Sequence, residues 1–318
     1  LRVLITGITG FAGGFLAQVL LDQGHEVFGV SRWRRHGLDH LSQKIIPLTT
    51  DLRDRTVVDD ILNDIRPAVI YHLAGQAFVP TAWADPWATM ENNIRPQLNI
   101  LQAMVQQRSN ARLLIVASNQ AYGIVGPSEL PISEETPFRP DNPYGVSKAA
   151  QDMLALQYYL SHGLDVIRAR AFNHIGPRQN ASFVAASFAK QIAEIEAGFV
   201  EPVLNVGNLE AKRDFTDVRD VVRAYALLVE HGAAGEAYNV GTGQAYSIQH
   251  LLDILLQYSR VNIEIQQDRH RLRPSDVPLI YADNRKLRAT TGWEPQYSLA
   301  ESLPEILDFW REKIKSSL

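Results

Sequence analysis

The chain has 318 residues, 46% of them hydrophobic and 21% charged, the balance of a globular protein with room for one large domain and an appended lobe. Its formal net charge of −4 excludes a general nucleic-acid binder, and no apolar run reaches the roughly 18 residues of a membrane span. The absence of cysteine rules out disulfides, thiolate catalysis and cysteine-held metals, and fits a reducing compartment, the cytoplasm by default.

The chain opens on Leu1 rather than Met, so a trimmed start is expected, and it runs straight into an apolar strand with no signal-peptide layout. Short runs rich in β-branched residues follow in order: Val3-Leu4-Ile5, Val27-Phe28-Gly29-Val30, Ala68-Val69-Ile70-Tyr71, Leu113-Leu114-Ile115-Val116 and Val166-Ile167-Arg168-Ala169-Arg170. Helical patterns lie between them, as from Phe11 to Gln23 and from Val57 to Ile65. Strands without an alternating polar face, separated by helices, predict an α/β chain: a doubly wound parallel-sheet Rossmann fold covered on both faces.

After about Phe172 the regularity weakens, and Gly, Pro and Asn become common, as in Asn173-His174-Ile175-Gly176-Pro177. Helical patterns from Phe183 to Glu196 and from Val218 to Val229, and a strand-like run at Ala237-Tyr238-Asn239-Val240, predict a smaller, interleaved C-terminal lobe. The expected division is residues 1–170 as the dinucleotide domain, with 214–240 returning to it, and 171–318 mainly as the substrate lobe.

The first functional signal is Thr6-Gly7-Ile8-Thr9-Gly10-Phe11-Ala12-Gly13, directly after the first strand and opening the first helix. A tight strand-to-helix turn needs φ angles closed to most residues, and a Cβ at Gly7, Gly10 or Gly13 would hold the backbone away from a pyrophosphate. The helix N-terminus then offers free N–H groups to the phosphates. This context predicts a dinucleotide site. At the end of the second strand a carboxylate would grip the ribose 2′-hydroxyl of NAD. Ser31-Arg32-Trp33-Arg34-Arg35 stands there instead, and guanidinium groups such as that of Arg32 suit a 2′-phosphate, favouring NADP(H). Asp51-Leu52, after a third strand-like run, falls where an adenine would be contacted.

Tyr144-Gly145-Val146-Ser147-Lys148 places Tyr144 and Lys148 four residues apart, on one face of a helix. A free phenol, with a pKa of about 10, is a poor acid–base catalyst at neutral pH. A neighbouring ammonium and an oxidised nicotinamide would both favour the phenolate. Ser118, just beyond the fourth strand run, is positioned to donate to a substrate carbonyl and complete the set.

Together these residues resemble the extended short-chain dehydrogenase/reductase family in its nucleotide-sugar epimerase and dehydratase branch. The resemblance spans nearly the whole chain and includes Tyr71-His72-Leu73-Ala74-Gly75-Gln76, Pro143-Tyr144-Gly145-Val146-Ser147-Lys148, Tyr238-Asn239-Val240-Gly241 and Thr291-Gly292-Trp293. Phe172-Asn173-His174-Ile175-Gly176-Pro177, the stretch from Val206 to Phe215 and Arg273-Pro274-Ser275-Asp276-Val277 are similar to enzymes of GDP-deoxysugar synthesis. The resemblance implies that Leu73, Ala74 and His174 lie beside the cofactor, and that Asn173, Lys190, Arg213 and Arg273 contact a GDP-sugar. It also implies a homodimer paired through two long helices, one of them carrying Tyr144 and Lys148. Epimerases of the family use the same Tyr and Lys but hold NAD tightly, against which the Arg32 cluster counts. A non-catalytic NADP sensor would typically lack the Tyr or the Lys.

Dehydratases of the family carry a carboxylate about two positions after the strand-end Ser or Thr, and it takes part in eliminating the C6 hydroxyl. Here Ala117-Ser118-Asn119-Gln120-Ala121 supplies amides, which cannot act as general acid or base. Gln179 likewise replaces an Arg that dehydratases use near the cofactor, and Pro96 stands where the family usually has Gly. The expectation is therefore NADPH-dependent reduction of the C4 ketone of GDP-4-keto-6-deoxymannose to GDP-D-rhamnose, with dehydration of GDP-mannose as the alternative.

Overall fold

The alternation of β-branched runs and longer amphipathic stretches becomes, in a computed structural model describing residues 1–33, 44–271 and 277–316, a parallel sheet with helices on both faces. The main sheet contains β1 (Arg2–Thr6), β2 (Glu26–Ser31), β3 (Ile45–Thr49), β4 (Val69–His72), β5 (Arg112–Ser118), β6 (Val166–Ala171) and β10 (Ala237–Val240). Its order is β10-β6-β5-β4-β1-β2-β3, every pair parallel. The chain moves outward from β1 through β2 to β3, then crosses back to lay β4 on the other side of β1. That reversal opens a crevice at the carboxyl ends of β1 and β4, where ligands of such sheets bind.

Alternate residues of each strand face opposite layers. Val3 and Ile5 pack with α1 (Phe11–Asp22) and α7 (Val218–His231), whose Leu16, Val221 and Tyr225 are buried. Leu4 and Ile70 pack toward α2 (Arg55–Ile65), α4 (Pro86–Gln106) and α5 (Pro143–His162) on the other side. The short α3 (Val79–Ala84) precedes α4. Asp54 starts α2 by accepting from the N–H groups of Thr56 and Val57, and Asn142 starts α5 by accepting from that of Gly145, which fixes where Tyr144 enters its helix.

The second half interleaves with this framework. β7 (Asn173–Ile175), β9 (Lys212–Asp217), β11 (Ala245–Ser247) and β13 (Leu279–Ile280) form a separate sheet centred on β9, and β8 (Val203–Val206) pairs with β12 (Glu264–Gln267). With α6 (Val184–Glu196), α8 (Ile248–Gln257) and α10 (Leu299–Lys315) they bury a second core around Phe188, Leu251 and Trp310. The return to the main sheet starts at Val218 with α7, since β9 lies in the smaller sheet, and it includes α9 (Arg285–Thr291) against β10. Trp293 is buried in the main core, its indole N–H donating to the carbonyl of Asp220 at 2.9 Å.

One sequence expectation fails in β6. That strand does alternate, with Ile167 and Ala169 on the apolar face and Arg168 and Arg170 on the other, yet both arginines are buried. Asp152 of α5 covers them. It lies 2.6 Å from Arg168 Nη1 and 2.8 Å from Arg170 Nε. A cavity of about 260 Å³ beside this edge is lined by Glu134, Arg168, Arg170 and Lys286, but its two guanidiniums are already engaged by Asp152 and by backbone carbonyls. No helix among the described residues is long and apolar enough to cross a membrane.

Candidate active site

The loop after β1 is shaped by what its glycines lack. Gly7 has φ +72°, and a Cβ there would sit 2.8 Å from the backbone nitrogen of Ala74 at the end of β4. A Cβ on Gly13 would lie 2.5 Å from the carbonyl oxygen of Gly7, and one on Gly10 would lie 2.9 Å from the same atom. The loop is held from behind, the N–H groups of Gly7 and Ile8 donating to Val30 O at 2.9 and 3.2 Å. Gly10 precedes α1 with no side-chain cap and no acidic residue in the first turn, so no carboxylate of that turn competes for the N–H groups around Phe11, Ala12 and Gly13.

A cavity of about 230 Å³ opens beside this loop, and Gly7, Thr9, Gly10, Leu73 and Ala74 line one end of it. Arg32, Trp33, Asp51 and Leu52 line the other end. The structure thus brings most of the predicted cofactor residues to one place. It adds Arg53, Asn92 and Pro96, which sequence reasoning did not assign to the cofactor. Arg34 and Arg35 lie outside the described residues. Arg53 grips Asp51 with two parallel contacts, Nη2 at 2.6 Å from Oδ2 and Nε at 3.1 Å from Oδ1, and this holds the Asp51 carboxyl below its usual range.

Next along the crevice stand Ser118, Tyr144 and Lys148, all buried. The Ser118 hydroxyl is near enough to the Tyr144 phenol to favour its ionised form. Lys148 Nζ lies 5.9 Å from the centre of the Tyr144 ring and donates to Val116 O at 2.8 Å. Sequence reasoning expected the ammonium and an oxidised nicotinamide together to draw the phenol's pKa down. In the protein alone burial pushes Tyr144 up to about 12, opposed by the Ser118 hydroxyl, and pulls Lys148 down to about 8. The physical reason is that both groups sit where neither charged form is solvated. A neutral phenol is the form that a proton donor needs.

Asn93 ties these parts together from α4. Fully buried, it accepts from the N–H of Gln76 at 2.7 Å and donates to Ser147 Oγ at 2.8 Å, while Ser147 donates to the Tyr144 carbonyl at 2.7 Å. His72, buried at the end of β4, makes a 2.8 Å hydrogen bond with Thr6 Oγ1, and burial followed by the Lys148 charge drives its pKa to about 3, so its ring is neutral. His174 stacks on Phe11 at 5.7 Å with planes 3° apart, and burial lowers its pKa too. Phe11 therefore holds His174 against the start of α1.

The two residues after Ser118 are tied up in the local network. Asn119 Oδ1 accepts from Ser118 Oγ at 3.3 Å, and Gln120 Oε1 accepts from Asn142 Nδ2 at 3.1 Å. Gln179 is buried and donates to the carbonyl of His174 at 2.8 Å.

The candidate substrate residues are less closely gathered. Asn173 lies on β7 opposite Phe215 of β9, next to His174. Arg213, on β9 between Tyr246 and Ile280, donates to Lys212 O at 2.9 Å. Lys190 pairs with Glu194 one helical turn on, at 3.2 Å. Arg273 lies outside the described residues.

Lys148 also carries a stability consequence. Its folded pKa of about 8 is below the ordinary 10.5, so beneath pH 8 the fold holds a buried ammonium at a cost of about 3 kcal/mol. Between those values the unfolded chain binds more protons, so wild-type stability rises with pH and the cost fades. Lys148→Met should therefore be more stable than wild type at pH 7 by about 2 kcal/mol, allowing for the lost bond to Val116 O. Urea midpoints at pH 7 and pH 10 test this, and an equal gap at both values would contradict it.

Comparisons with known proteins identify the family. A family model described as GDP-mannose 4,6 dehydratase matches residues 4–306. The chain is 38% identical over 314 residues to a GDP-6-deoxy-D-mannose reductase of Pseudomonas aeruginosa, across 99% of this chain and 98% of that protein. It is 26% identical to a GDP-mannose 4,6-dehydratase of Vibrio cholerae, across 96% of this chain and 92% of that one. The solved structure of RMD from Pseudomonas aeruginosa complexed with NADPH matches with a TM-score of 0.86 at 36% identity, over 98% of this chain and 99% of that chain. The glycine-shaped cradle, the Tyr144–Lys148 pair and a family match over almost the whole length lead to one conclusion: the chain belongs to the GDP-mannose 4,6 dehydratase family.

Proposed function

We propose that this chain reduces the C4 ketone of GDP-4-keto-6-deoxy-D-mannose with NADPH, giving GDP-D-rhamnose. The observation that carries the reading is the pair of amides after Ser118. Elimination across C5 and C6 needs a group that takes up and releases a proton, and Asn119 and Gln120, both engaged in hydrogen bonds, have none to exchange. The similarity to a reductase at 38% identity supports the same choice against the family's dehydratases.

Gly7, Gly10, Gly13 and the first turn of α1 would hold the pyrophosphate, and Arg32 the 2′-phosphate. Bound NADPH supplies the hydride. Ser118 and Tyr144 would share the substrate's carbonyl oxygen, and Tyr144 Oη would deliver its proton there as negative charge develops. Lys148, anchored to Val116 O, keeps a positive charge beside that oxygen, where low dielectric makes it count most. Asn173, Lys190, Arg213 and Arg273 are assigned to the GDP-sugar.

The reading includes a cytoplasmic homodimer. α5 exposes Val146, Met153 and Leu160, seven residues apart and so aligned in one stripe, with Trp83 and Trp87 exposed near the start of α4. The absence of cysteine fits the compartment.

The test mixes the protein with NADPH and enzymatically prepared GDP-4-keto-6-deoxymannose and follows absorbance of the reduced nicotinamide. Substrate-dependent oxidation is expected, with GDP-mannose alone left unchanged. Conversion of GDP-mannose to its 4-keto-6-deoxy form would establish the dehydratase instead. Gln120→Glu should lower the reductase rate less than tenfold and is the variant in which weak elimination would first be seen.

A further inference from the structure

The rim of the cofactor cavity carries two guanidiniums in different electrostatic states. Arg53 is spoken for. Asp51 chelates it through three contacts of 2.6 to 3.1 Å, and Glu91 lies 3.6 Å from its Nη1. Arg32 has no such partner: among the described residues no carboxylate lies within ion-pair distance of it. Its Nη1 donates instead to Oδ1 of Asn92, at 2.8 Å, across 60 residues of sequence. An amide oxygen orients a guanidinium without cancelling its charge, whereas a carboxylate in the same place would do both.

The helix that presents Asn92 is specialised at that point. Pro96 lies within α4 one turn later and has no N–H to give to the carbonyl of Asn92, and both residues line the cavity. Glu91, the neighbour of Asn92, turns toward Arg53 and Arg95 rather than Arg32, with 3.0 Å to Arg95 Nη1. Among the described residues the carboxylates of this rim contact other cations, Asp51 acting on Arg32 only at longer range, so the guanidinium face of Arg32 is left open to a ligand.

We infer that Asn92 is a positioning residue for cofactor choice: it aims Arg32 at the 2′-phosphate without placing a carboxylate against the guanidinium. The inference rests on the NADPH reading above and adds the residue that makes Arg32 selective. It concerns binding alone, so catalysis is not needed to test it.

The experiment titrates 2′,5′-ADP and 5′-AMP, and separately NADPH and NADH, into wild type, Asn92→Ala, Asn92→Asp, Arg32→Ala and the Arg32→Ala/Asn92→Ala double variant, by calorimetry. Wild type should prefer 2′,5′-ADP. Asn92→Asp should weaken 2′,5′-ADP about 10- to 100-fold, because the new carboxylate both neutralises Arg32 and repels the phosphate, and should leave 5′-AMP and NADH within about threefold. Asn92→Ala should cost 2′,5′-ADP about three- to tenfold and nothing further once Arg32 is gone. Unchanged NADH affinity shows that the variants fold. A wild type that does not prefer 2′,5′-ADP would sink the NADPH reading itself. A wild type that does, with Asn92→Asp retaining the preference or with equal losses of 5′-AMP, would overturn the role of Asn92 alone.

Discussion

Replacing Tyr144 with Phe should lower kcat for ketone reduction by about 10²- to 10⁴-fold, the range for loss of a positioned proton donor. The loss should appear equally in kcat and kcat/KM, because the phenol's proton moves only as the alkoxide forms. NADPH affinity should be nearly unchanged: the ring stays, and the bonds that seat its backbone, from Ser147 Oγ to the Tyr144 carbonyl and from the Gly145 N–H to Asn142, do not involve the hydroxyl. The pH profile gives a second reading. With the phenol pushed up to about 12 it remains protonated throughout the working range, and the first group to titrate is Lys148, at about 8. The rate should therefore hold through neutrality and fall as pH rises through about 8, where the ammonium is lost. Single-turnover measurements from pH 6 to 9.5 check both points. Full activity in Tyr144→Phe would assign the proton to another donor, and an unchanged rate at pH 9.5 would remove Lys148 from the charge balance.

Much of this site was legible in the sequence because its parts are local. A glycine loop announces itself through spacing, since each missing Cβ answers a contact within the same turn, such as Gly13 against the carbonyl of Gly7. Only the closeness of Gly7 to Ala74 required the fold. The Tyr144–Lys148 pair is likewise written in helical periodicity. The missed residues act across layers. Arg53 looks like a surface partner of Asp51 until α4 brings Glu91 to its other side. Asn92 meets Arg32 only because the end of β2 and the second turn of α4 reach the same rim, a relation that no spacing rule encodes. The strong effect of burial on the catalytic pair was not legible either, because burial is a property of the whole packing and no spacing rule carries it.

The buried arginines of β6 lead to the largest expected effect on stability. Asp152 lies eight residues after Tyr144 and four after Lys148, on the same face of α5, and its side chain is fully buried. It bridges Arg168 and Arg170, and Arg170 in turn donates to Tyr122 Oη at 2.9 Å and to the carbonyl of Glu134 at 2.7 Å. The helix face that carries the catalytic pair is thus pinned to the sheet by one carboxylate serving two guanidiniums. Asp152→Ala would leave both charges buried and short of their anion, which typically costs about 3–5 kcal/mol. Arg168→Met should cost less. Asp152 would keep both contacts to Arg170, at 2.8 and 3.0 Å, while the methionine stem fills the space beside the backbone of Gly235. Urea midpoints with an unchanged m-value are the measurement, and they should respond little to added salt, since buried charges are poorly screened. A loss under about 1 kcal/mol in Asp152→Ala would show that apolar packing alone seats α5. A large loss, with kcat in the surviving folded fraction reduced as well, would show that the same carboxylate keeps Tyr144 and Lys148 in register with the end of β5.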